Sequence, residues 1–234
     1  QFLNLSAFAE QMLIHENACV AIDPAMPLDR AALIGCAITT GSSAVFNQCC
    51  LRPGETLAVV GCGGIGLAAI NAAKIAGAGR IVAIDPVPAK RDLALKLGAT
   101  DAIDPASERP DKQVMALTGG GVDHAIEAVG RPATVELAWT ILRRGGTATV
   151  LGMIAPGETV NLPGPSFLQG KKLQGSLLGD TRFPIDMPRL VDHYLNGRLD
   201  LDALIAERLP LAKINEAVDR LRQGDAVRSV IMFE

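Results

Sequence analysis

The residues best suited to chemistry are a run of glycines that reads Gly61-Cys62-Gly63-Gly64-Ile65-Gly66. It directly follows the apolar segment Thr56–Val60 and precedes a segment of small, helix-forming residues. In such a run the first glycine permits a tight turn, the second lets the backbone approach a pyrophosphate, and the last lets the helix pack against the strand. The amides at the start of that helix would face the phosphates. The pattern therefore predicts a dinucleotide-binding loop.

A carboxylate follows at the spacing that this kind of loop requires. Asp85 lies 19 residues after Gly66, directly behind the predicted strand Arg80–Ile84. A carboxylate there accepts hydrogen bonds from ribose hydroxyls and repels a 2′-phosphate, so Asp85 favours NAD over NADP. The motif leaves other readings open, namely a glycine-rich turn of another α/β protein, a methyltransferase site or a flavin site.

Two other kinds of dehydrogenase chemistry lack their residues. A short-chain enzyme needs Tyr-x-x-x-Lys, but the single tyrosine, Tyr194, is followed four positions later by Arg198. A lactate-type enzyme needs a catalytic histidine. We expect His15 in a turn, His124 in a buried strand and His193 on a solvated helix face, so none is a convincing acid–base group.

The composition is that of an ordinary globular chain. Of 234 residues, 49% are hydrophobic and 20% charged, and the net charge of −3 argues against a nucleic-acid partner. Residues 57–73 carry no charge, but glycines interrupt them and the stretch is short for a membrane helix, which argues against a membrane partner. The five cysteines form no CxxC pair, which together with the lack of a leader-like start favours a cytoplasmic location.

Around the glycine loop, short apolar segments alternate with helical ones. The predicted strands are rich in Val and Ile, which is typical of strands buried on both faces: 56–60, 80–84, 102–103, 122–129, 147–152 and 173–178. The predicted helices between them are 65–76, 88–97, 110–117, 132–142 and a short piece at 166–170. The alternation predicts an α/β fold with a Rossmann-type doubly wound parallel sheet.

The segments on either side depart from this alternation. Before it we predict strands at 7–14 and 18–22 and a helical turn or two at 28–34. After it we predict amphipathic helices at 184–195 and 211–222 and a last strand at 229–233. The predicted domains are therefore 1–37, an NAD-binding domain at 38–177, and 178–234.

Further motifs follow one another along the whole chain, at residues 8–10, 33–41, 54–55, 97–100, 119–123, 127–130, 145–146, 209–210 and 213–217. With the glycine loop, they resemble the zinc-dependent medium-chain alcohol dehydrogenases, and most closely their class III-like branch. The resemblance implies hydride transfer between NAD and an alcohol, aldehyde or ketone, with a catalytic zinc that polarises the substrate oxygen. It also implies that 1–37 and 178–234 are remnants of a GroES-like catalytic domain.

The resemblance assigns roles that spacing alone does not. Cys36 matches a thiolate ligand of the catalytic zinc, and Thr40 a residue beside the nicotinamide. Ile65 matches the side chain behind the nicotinamide ring, and Asp85 and Lys90 the pair that binds ribose. The other cofactor contacts that it implies are Val129 and Arg131 near the adenosine, Arg228 at the pyrophosphate, and the loop glycines Gly61, Gly63, Gly64 and Gly66.

The zinc site is where the sequence departs from this family. A catalytic zinc in an alcohol dehydrogenase is held by two cysteines and a histidine, and of these only Cys36 has a counterpart. We therefore expect the chain to be the C-terminal part of a longer enzyme and to be inactive by itself. The resemblance further implies a homodimer joined at the edge of the cofactor sheet, near residues 160–162 and 173–178.

Two other functions stay open. One is a zinc-free quinone or enoyl reductase of the same superfamily, against which Cys36 argues because such an enzyme needs no thiolate there. The other is a non-catalytic NAD-binding module, which the missing ligands favour. The particular alcohol or aldehyde is not readable from these residues.

Overall fold

The computed structural model of the chain describes residues 5–107, 109–223 and 228–233. It divides the chain into two compact units. The sheet unit comprises residues 36–181, and the flanking unit comprises residues 1–35 and 182–234. The assignment of the flanking segments to a GroES-like catalytic domain stays a prediction.

The sheet unit is built on a six-stranded sheet whose strands all pair in parallel. The strands are β1 (Thr56–Val60), β2 (Arg80–Ile84), β3 (Asp101–Ile103), β4 (Val122–Glu127), β5 (Leu142–Val150) and β6 (Lys172–Gly175). Their spatial order is β3-β2-β1-β4-β5-β6. This is the strand order of a doubly wound Rossmann-type sheet, and it confirms the predicted fold class.

The α-helices, in chain order, are α1 (Leu28–Leu33), α2 (Thr39–Ser43), α3 (Gly64–Ile75), α4 (Pro88–Leu97), α5 (Pro110–Thr118), α6 (Pro132–Thr140), α7 (Phe183–Leu195) and α8 (Ile214–Gln223). Helices α3 to α6 connect the strands of the sheet unit. From the carboxyl end of β1 the chain runs toward β2, and from that of its neighbour β4 it runs the opposite way toward β5, which opens a crevice between these two strand ends. No helix of the described ranges has both the length and the apolarity of a membrane-spanning segment.

The predicted strand at 147–152 was wrong at both ends, because β5 starts at Leu142 and ends at Val150. Residues 143–145 are exposed, so their polar character carried no strand signal. The predictions at 122–129 and 173–178 ran too far. Strand β6 ends at Gly175, and an extended strand does not reach 178 because Leu178, Gly179 and Asp180 all have positive φ, at 53°, 72° and 55°.

The chain is helical from Leu28 to Gln48, far beyond the predicted 28–34. Two π-helical turns, Ile34–Ile38 and Ala44–Gln48, flank α2 within this segment. Glycines and threonines lower its intrinsic helix propensity, which hid it from the sequence. Packing stabilises it instead: a Cβ on Gly41 would lie 2.1 Å from the carbonyl oxygen of Ile65, so α2 lies tightly against α3.

In the flanking unit, β7 (Glu207–Pro210) and β8 (Ser229–Met232) form a two-stranded parallel sheet. Strand β7 was not predicted, and the predicted helix 211–222 starts as a 3₁₀ turn at Leu211–Lys213 before α8. The strands predicted at 7–14 and 18–22 are absent, and a 3₁₀ turn at Glu16–Ala18 includes the first residue of the second segment. An apolar pattern alone does not form a strand, since a strand needs a neighbour for its backbone hydrogen bonds.

Candidate functional site

The glycine loop joins β1 to α3 at the carboxyl edge of the sheet. Gly61 has φ +97°, and a Cβ there would lie 2.5 Å from Val129 Cγ2. A Cβ on Gly66 would lie 1.8 Å from the carbonyl oxygen of Gly61, whereas no described atom lies within 4 Å of a Cβ built on Gly63. Gly61 and Gly66 are therefore required by the packing of the protein itself, while Gly63 faces open space.

Helix α3 presents its amino terminus at this loop. Its N-cap residue is Gly63, and no side-chain hydrogen bond caps it. The first amides of a helix lack intrahelical partners, and the helix dipole adds partial positive charge there. The combination of uncapped amides and the open space at Gly63 fits a pyrophosphate group.

Asp85 connects the end of β2 to the glycine loop. Its carboxylate is buried; Oδ2 accepts a hydrogen bond from Cys62 N at 2.8 Å and Oδ1 one from Val87 N at 2.9 Å. A carboxylate has about four lone-pair positions, so two bonds leave it able to accept from ribose hydroxyls. Asp85 is thus both an organiser of the loop and a candidate ribose ligand.

A second buried carboxylate, Glu127, ends β4. Its Oε1 accepts hydrogen bonds from Val129 N at 2.9 Å, Gly130 N at 2.8 Å and Thr134 Oγ1 at 2.7 Å. Its Oε2 has no partner among the described residues. These bonds hold the backbone that carries Val129 and Arg131, the two residues that the resemblance placed near the adenosine.

The loops that follow β4 and β5 pack backbone to backbone. A Cβ on Gly152 would lie 2.0 Å from Gly130 N, and a Cβ on Gly130, where φ is +85°, would lie 2.5 Å from the carbonyl oxygen of Met153. Sequence reasoning missed both glycines and Glu127 as site residues. The available signal was a glycine soon after each of two strands, together with an acidic residue in an apolar strand.

Thr40 lies on α2 beside the start of α3. The close approach of Gly41 to Ile65 places it there, and a Cβ on Gly179 would lie 2.4 Å from the carbonyl oxygen of Thr40. Thr40 is buried, yet its hydroxyl has no described hydrogen-bond partner. A buried hydroxyl usually has a hydrogen-bond partner, so a polar group of a ligand bound beside the start of α3 is a suitable partner for Thr40.

The other predicted site residues are more scattered. Lys90 is half-buried on α4, Val129 is exposed over Gly61, and Arg131 is the exposed N-cap residue of α6. Arg228 belongs to the flanking unit. Its contact with the pyrophosphate therefore stays a prediction.

Cys36 lies on the first π-helical turn, with its side chain exposed. Among the described residues, no group of three or more His, Cys, Asp or Glu side chains is placed to hold a metal ion. A catalytic zinc takes three protein ligands, so these residues do not by themselves form such a site. The role of Cys36 as one ligand stays a prediction.

Two other cysteines of the sheet unit, Cys49 and Cys62, are buried and belong to no group of three potential metal ligands among the described residues. Burial raises the pKa of Cys62 to about 12 and that of Cys49 to about 11. Both thiols are therefore protonated near neutral pH when no metal ion is bound.

The histidines lie elsewhere. His124 is half-buried rather than in the core, and its Nε2 lies 3.2 Å from Glu55 Oε2 at the amino end of β4. His193 is also half-buried rather than solvated, and burial lowers its pKa. His15 accepts a hydrogen bond from Asn17 N in a turn, as predicted.

A family model described as "Zinc-binding dehydrogenase" matches residues 64–196, which include the loop glycines from Gly64 onward, Asp85 and Glu127. The chain belongs to the zinc-binding dehydrogenase family. The match confirms the family that the sequence motifs indicated.

Among curated proteins of similar sequence is the S-(hydroxymethyl)glutathione dehydrogenase of Synechocystis sp., which is 34% identical over 99% of this chain and 64% of its own length. Alcohol dehydrogenase 1 of Pisum sativum is 33% identical over 100% of this chain and 62% of its own length. The crystal structure of benzyl alcohol dehydrogenase from Acinetobacter calcoaceticus superposes with a TM-score of 0.95 at 30% identity, over 98% of this chain and 64% of that one. This zinc-binding dehydrogenase chain thus spans a little over three fifths of the length of these relatives.

Proposed function

We propose that this chain is the cofactor-binding part of an NAD-dependent oxidoreductase that interconverts alcohols with aldehydes or ketones. The observation that carries the proposal is the uncapped amino terminus of α3 at Gly63, with Asp85 at the end of the neighbouring strand. The amino terminus of α3 fits a pyrophosphate, and the carboxylate of Asp85 fits the hydroxyls of a ribose. The relatives, which include dehydrogenases of benzyl alcohol and of S-(hydroxymethyl)glutathione, support the substrate class.

Three residues would orient the reactive half of the cofactor. When bound, the nicotinamide ring accepts a hydride from the alcohol carbon or returns it to the carbonyl. The unpaired hydroxyl of Thr40 would bind a polar group at that end. Ile65 would keep water from the rear of the ring. Gly41 allows α2, the helix that carries Thr40, to lie close to Ile65 at the start of α3.

The proposal includes a catalytic zinc in the whole protein, with Cys36 as one of its ligands. The exposed thiol of Cys36 lies four positions before Thr40 on a continuous helical segment, so both would serve the same end of the crevice. The other ligands would have to come from residues outside the described ones, because a catalytic zinc needs three.

The test separates cofactor binding from turnover. We expect the 234-residue chain to bind NADH but to hold no stoichiometric zinc and to oxidise no alcohol, whereas a longer gene product that contains it does both. The measurements are NADH fluorescence titration, metal analysis and NAD-linked oxidation of a panel of primary alcohols.

The outcomes of that test decide separately on the cofactor, on the zinc ligands and on the reductase alternative. Absence of NADH binding would refute the cofactor assignment. Stoichiometric zinc and full turnover in the 234-residue chain would show that the ligands have been placed wrongly. Zinc-independent reduction of quinones or enoyl substrates by the longer product would favour the reductase alternative.

We further propose that two copies pair through β6. This strand ends the sheet, so one of its sides carries backbone groups that can pair with another strand. Large apolar side chains are exposed beside it: Phe167 is 53% exposed, Leu168 93% and Leu177 85%. A two-fold pairing of this edge would cover the same patch on both copies.

Introducing positive charge into this apolar patch should weaken the dimer. In Leu168→Lys/Leu177→Lys, the two copies would bury unpaired ammonium groups, and we expect self-association to fall at least about tenfold. Sedimentation velocity at micromolar concentration measures it. Leu95→Lys, on an exposed apolar position of α4, is the matched control and should stay dimeric. A wild-type protein that sediments as a monomer would contradict the proposal.

A further inference from the structure

Arg91 links the carboxyl ends of β2 and β3. It lies on the first turn of α4, and its Nη1 donates a hydrogen bond to the carbonyl oxygen of Asp85 at 2.6 Å. The same nitrogen lies 3.2 Å from Oδ2 of Asp104, the residue that follows β3. Asp104 is itself held, because its Oδ1 accepts a hydrogen bond from Ala106 N at 2.9 Å. The guanidinium is therefore fixed between two acceptors directly beside Asp85.

The ion pair of Arg91 with Asp104 places a positive charge near the glycine loop. Burial is the main cause of the raised pKa of Cys62; the charge of Asp85 raises it further, whereas Lys90 and Arg91 lower it. The guanidinium thus acts on the loop at the strand end where a ribose would bind. A free arginine at such a place is an excellent phosphate ligand, since its planar fork matches phosphate oxygens.

We propose that Asp104 is a specificity residue that acts through Arg91. By holding the guanidinium against Asp85 O, it keeps Arg91 from turning toward the 2′-phosphate of NADP. The site would then reject NADP in two ways, through the repulsion by Asp85 and through the restraint on Arg91. This inference rests on the proposed function, because it presupposes that the crevice binds a nicotinamide dinucleotide.

The pair Arg80–Asp101 supplies an internal comparison. It joins the same two strands at their amino ends, where Arg80 Nη1 lies 3.4 Å from Asp101 Oδ2. If ion pairs between β2 and β3 served only to stabilise the sheet, neutralising either aspartate would have the same effect on cofactor choice. Only the pair at the carboxyl edge lies beside Asp85.

The experiment is a double-mutant cycle of Asp104→Asn and Arg91→Gln, with NAD⁺ and NADP⁺ titrated into each protein by calorimetry. The asparagine keeps an oxygen for Ala106 N but removes the charge that holds Arg91. We expect Asp104→Asn to improve NADP⁺ affinity relative to NAD⁺ about fivefold when Arg91 is present, and less than about twofold in the Arg91→Gln background. Asp101→Asn, the control at the other edge, should leave the ratio unchanged.

The outcomes distinguish this inference from the function on which it rests. Asp104→Ser, whose hydroxyl can still accept from Ala106 N, is measured in parallel so that a folding defect of one variant does not decide the result. An equal gain with and without Arg91, or no gain at all while the wild type binds NAD⁺, overturns the inference and leaves the proposed function intact. A wild type that binds neither cofactor overturns both.

Discussion

Gly63→Ala should leave the protein as stable as the wild type and yet remove most of its affinity for NAD. A Cβ at this position meets no described atom within 4 Å, and φ of −77° suits any residue. The methyl group would occupy the space in which the pyrophosphate approaches the amides of α3. Hydrogen bonds to a charged group contribute about 1.5–3 kcal/mol, so we expect NADH to bind roughly tenfold to a hundredfold more weakly. Fluorescence titration measures the affinity, and urea unfolding the stability.

Gly66→Ala is the matched control within the same loop. Its Cβ would lie 1.8 Å from the carbonyl oxygen of Gly61 and 3.1 Å from Val59 Cγ1, so the strand and helix would have to separate. We expect a loss of about 3 kcal/mol or more in the free energy of unfolding. If the two variants lose stability equally, Gly63 serves the packing of the protein, and the assignment of the open space to a pyrophosphate is wrong.

The second large effect is expected for the choice between cofactors. The wild type should bind NAD with a clear preference over NADP, because the buried carboxylate of Asp85 would lie close to a 2′-phosphate. At an effective dielectric constant of about 20, two like charges a few ångströms apart repel by roughly 3–4 kcal/mol, which corresponds to a preference of about a hundredfold or more. In Asp85→Ser this preference should collapse. Both dinucleotides are titrated into both proteins.

Asp85→Asn separates the charge from the hydrogen bonds. Asp85 also accepts from Cys62 N and Val87 N, so Asp85→Ser loses acceptors that hold the glycine loop. We expect that variant to be destabilised by about 1–3 kcal/mol. Asparagine keeps one side-chain acceptor but carries no charge, so it should lose the preference with a smaller loss of stability. Equal affinity of the unmodified protein for NAD and NADP would refute the role of Asp85.

Several features of the site were predictable because their causes are local in the chain. The turn at Gly61, the close approach at Gly66 and the carboxylate at Asp85 follow from a strand, a tight turn and a helix that are consecutive in sequence. The bounds of β1 and β2 were also predicted correctly, since each is a continuous apolar run buried in the middle of the sheet. The alternation of such strands with helices predicted a doubly wound parallel sheet, while the order of the strands came from the structure.

Contacts between the ends of different strands were not predictable. The bonds of Glu127 to its loop, and the contact of Gly130 with Gly152, depend on β4 and β5 being neighbours with a given register. Sequence spacing alone does not carry that information. Arg91 and Asp104 are similar, because they meet only once β2 and β3 have paired.

Secondary structure at the edges of the fold was likewise decided by tertiary contacts. Residues 34–48 have weak helix propensity and are helical because Gly41 lets α2 pack on α3. Residues 7–14 have a strand-like pattern and no strand, since a pattern of apolar residues cannot supply the hydrogen-bonding neighbour that a strand needs. The sequence by itself thus determined the nucleotide-binding loop, its carboxylate and the class of fold, which rest on local backbone geometry. Only the tertiary structure decided which distant residues surround that loop, because those contacts depend on strand pairing and helix packing.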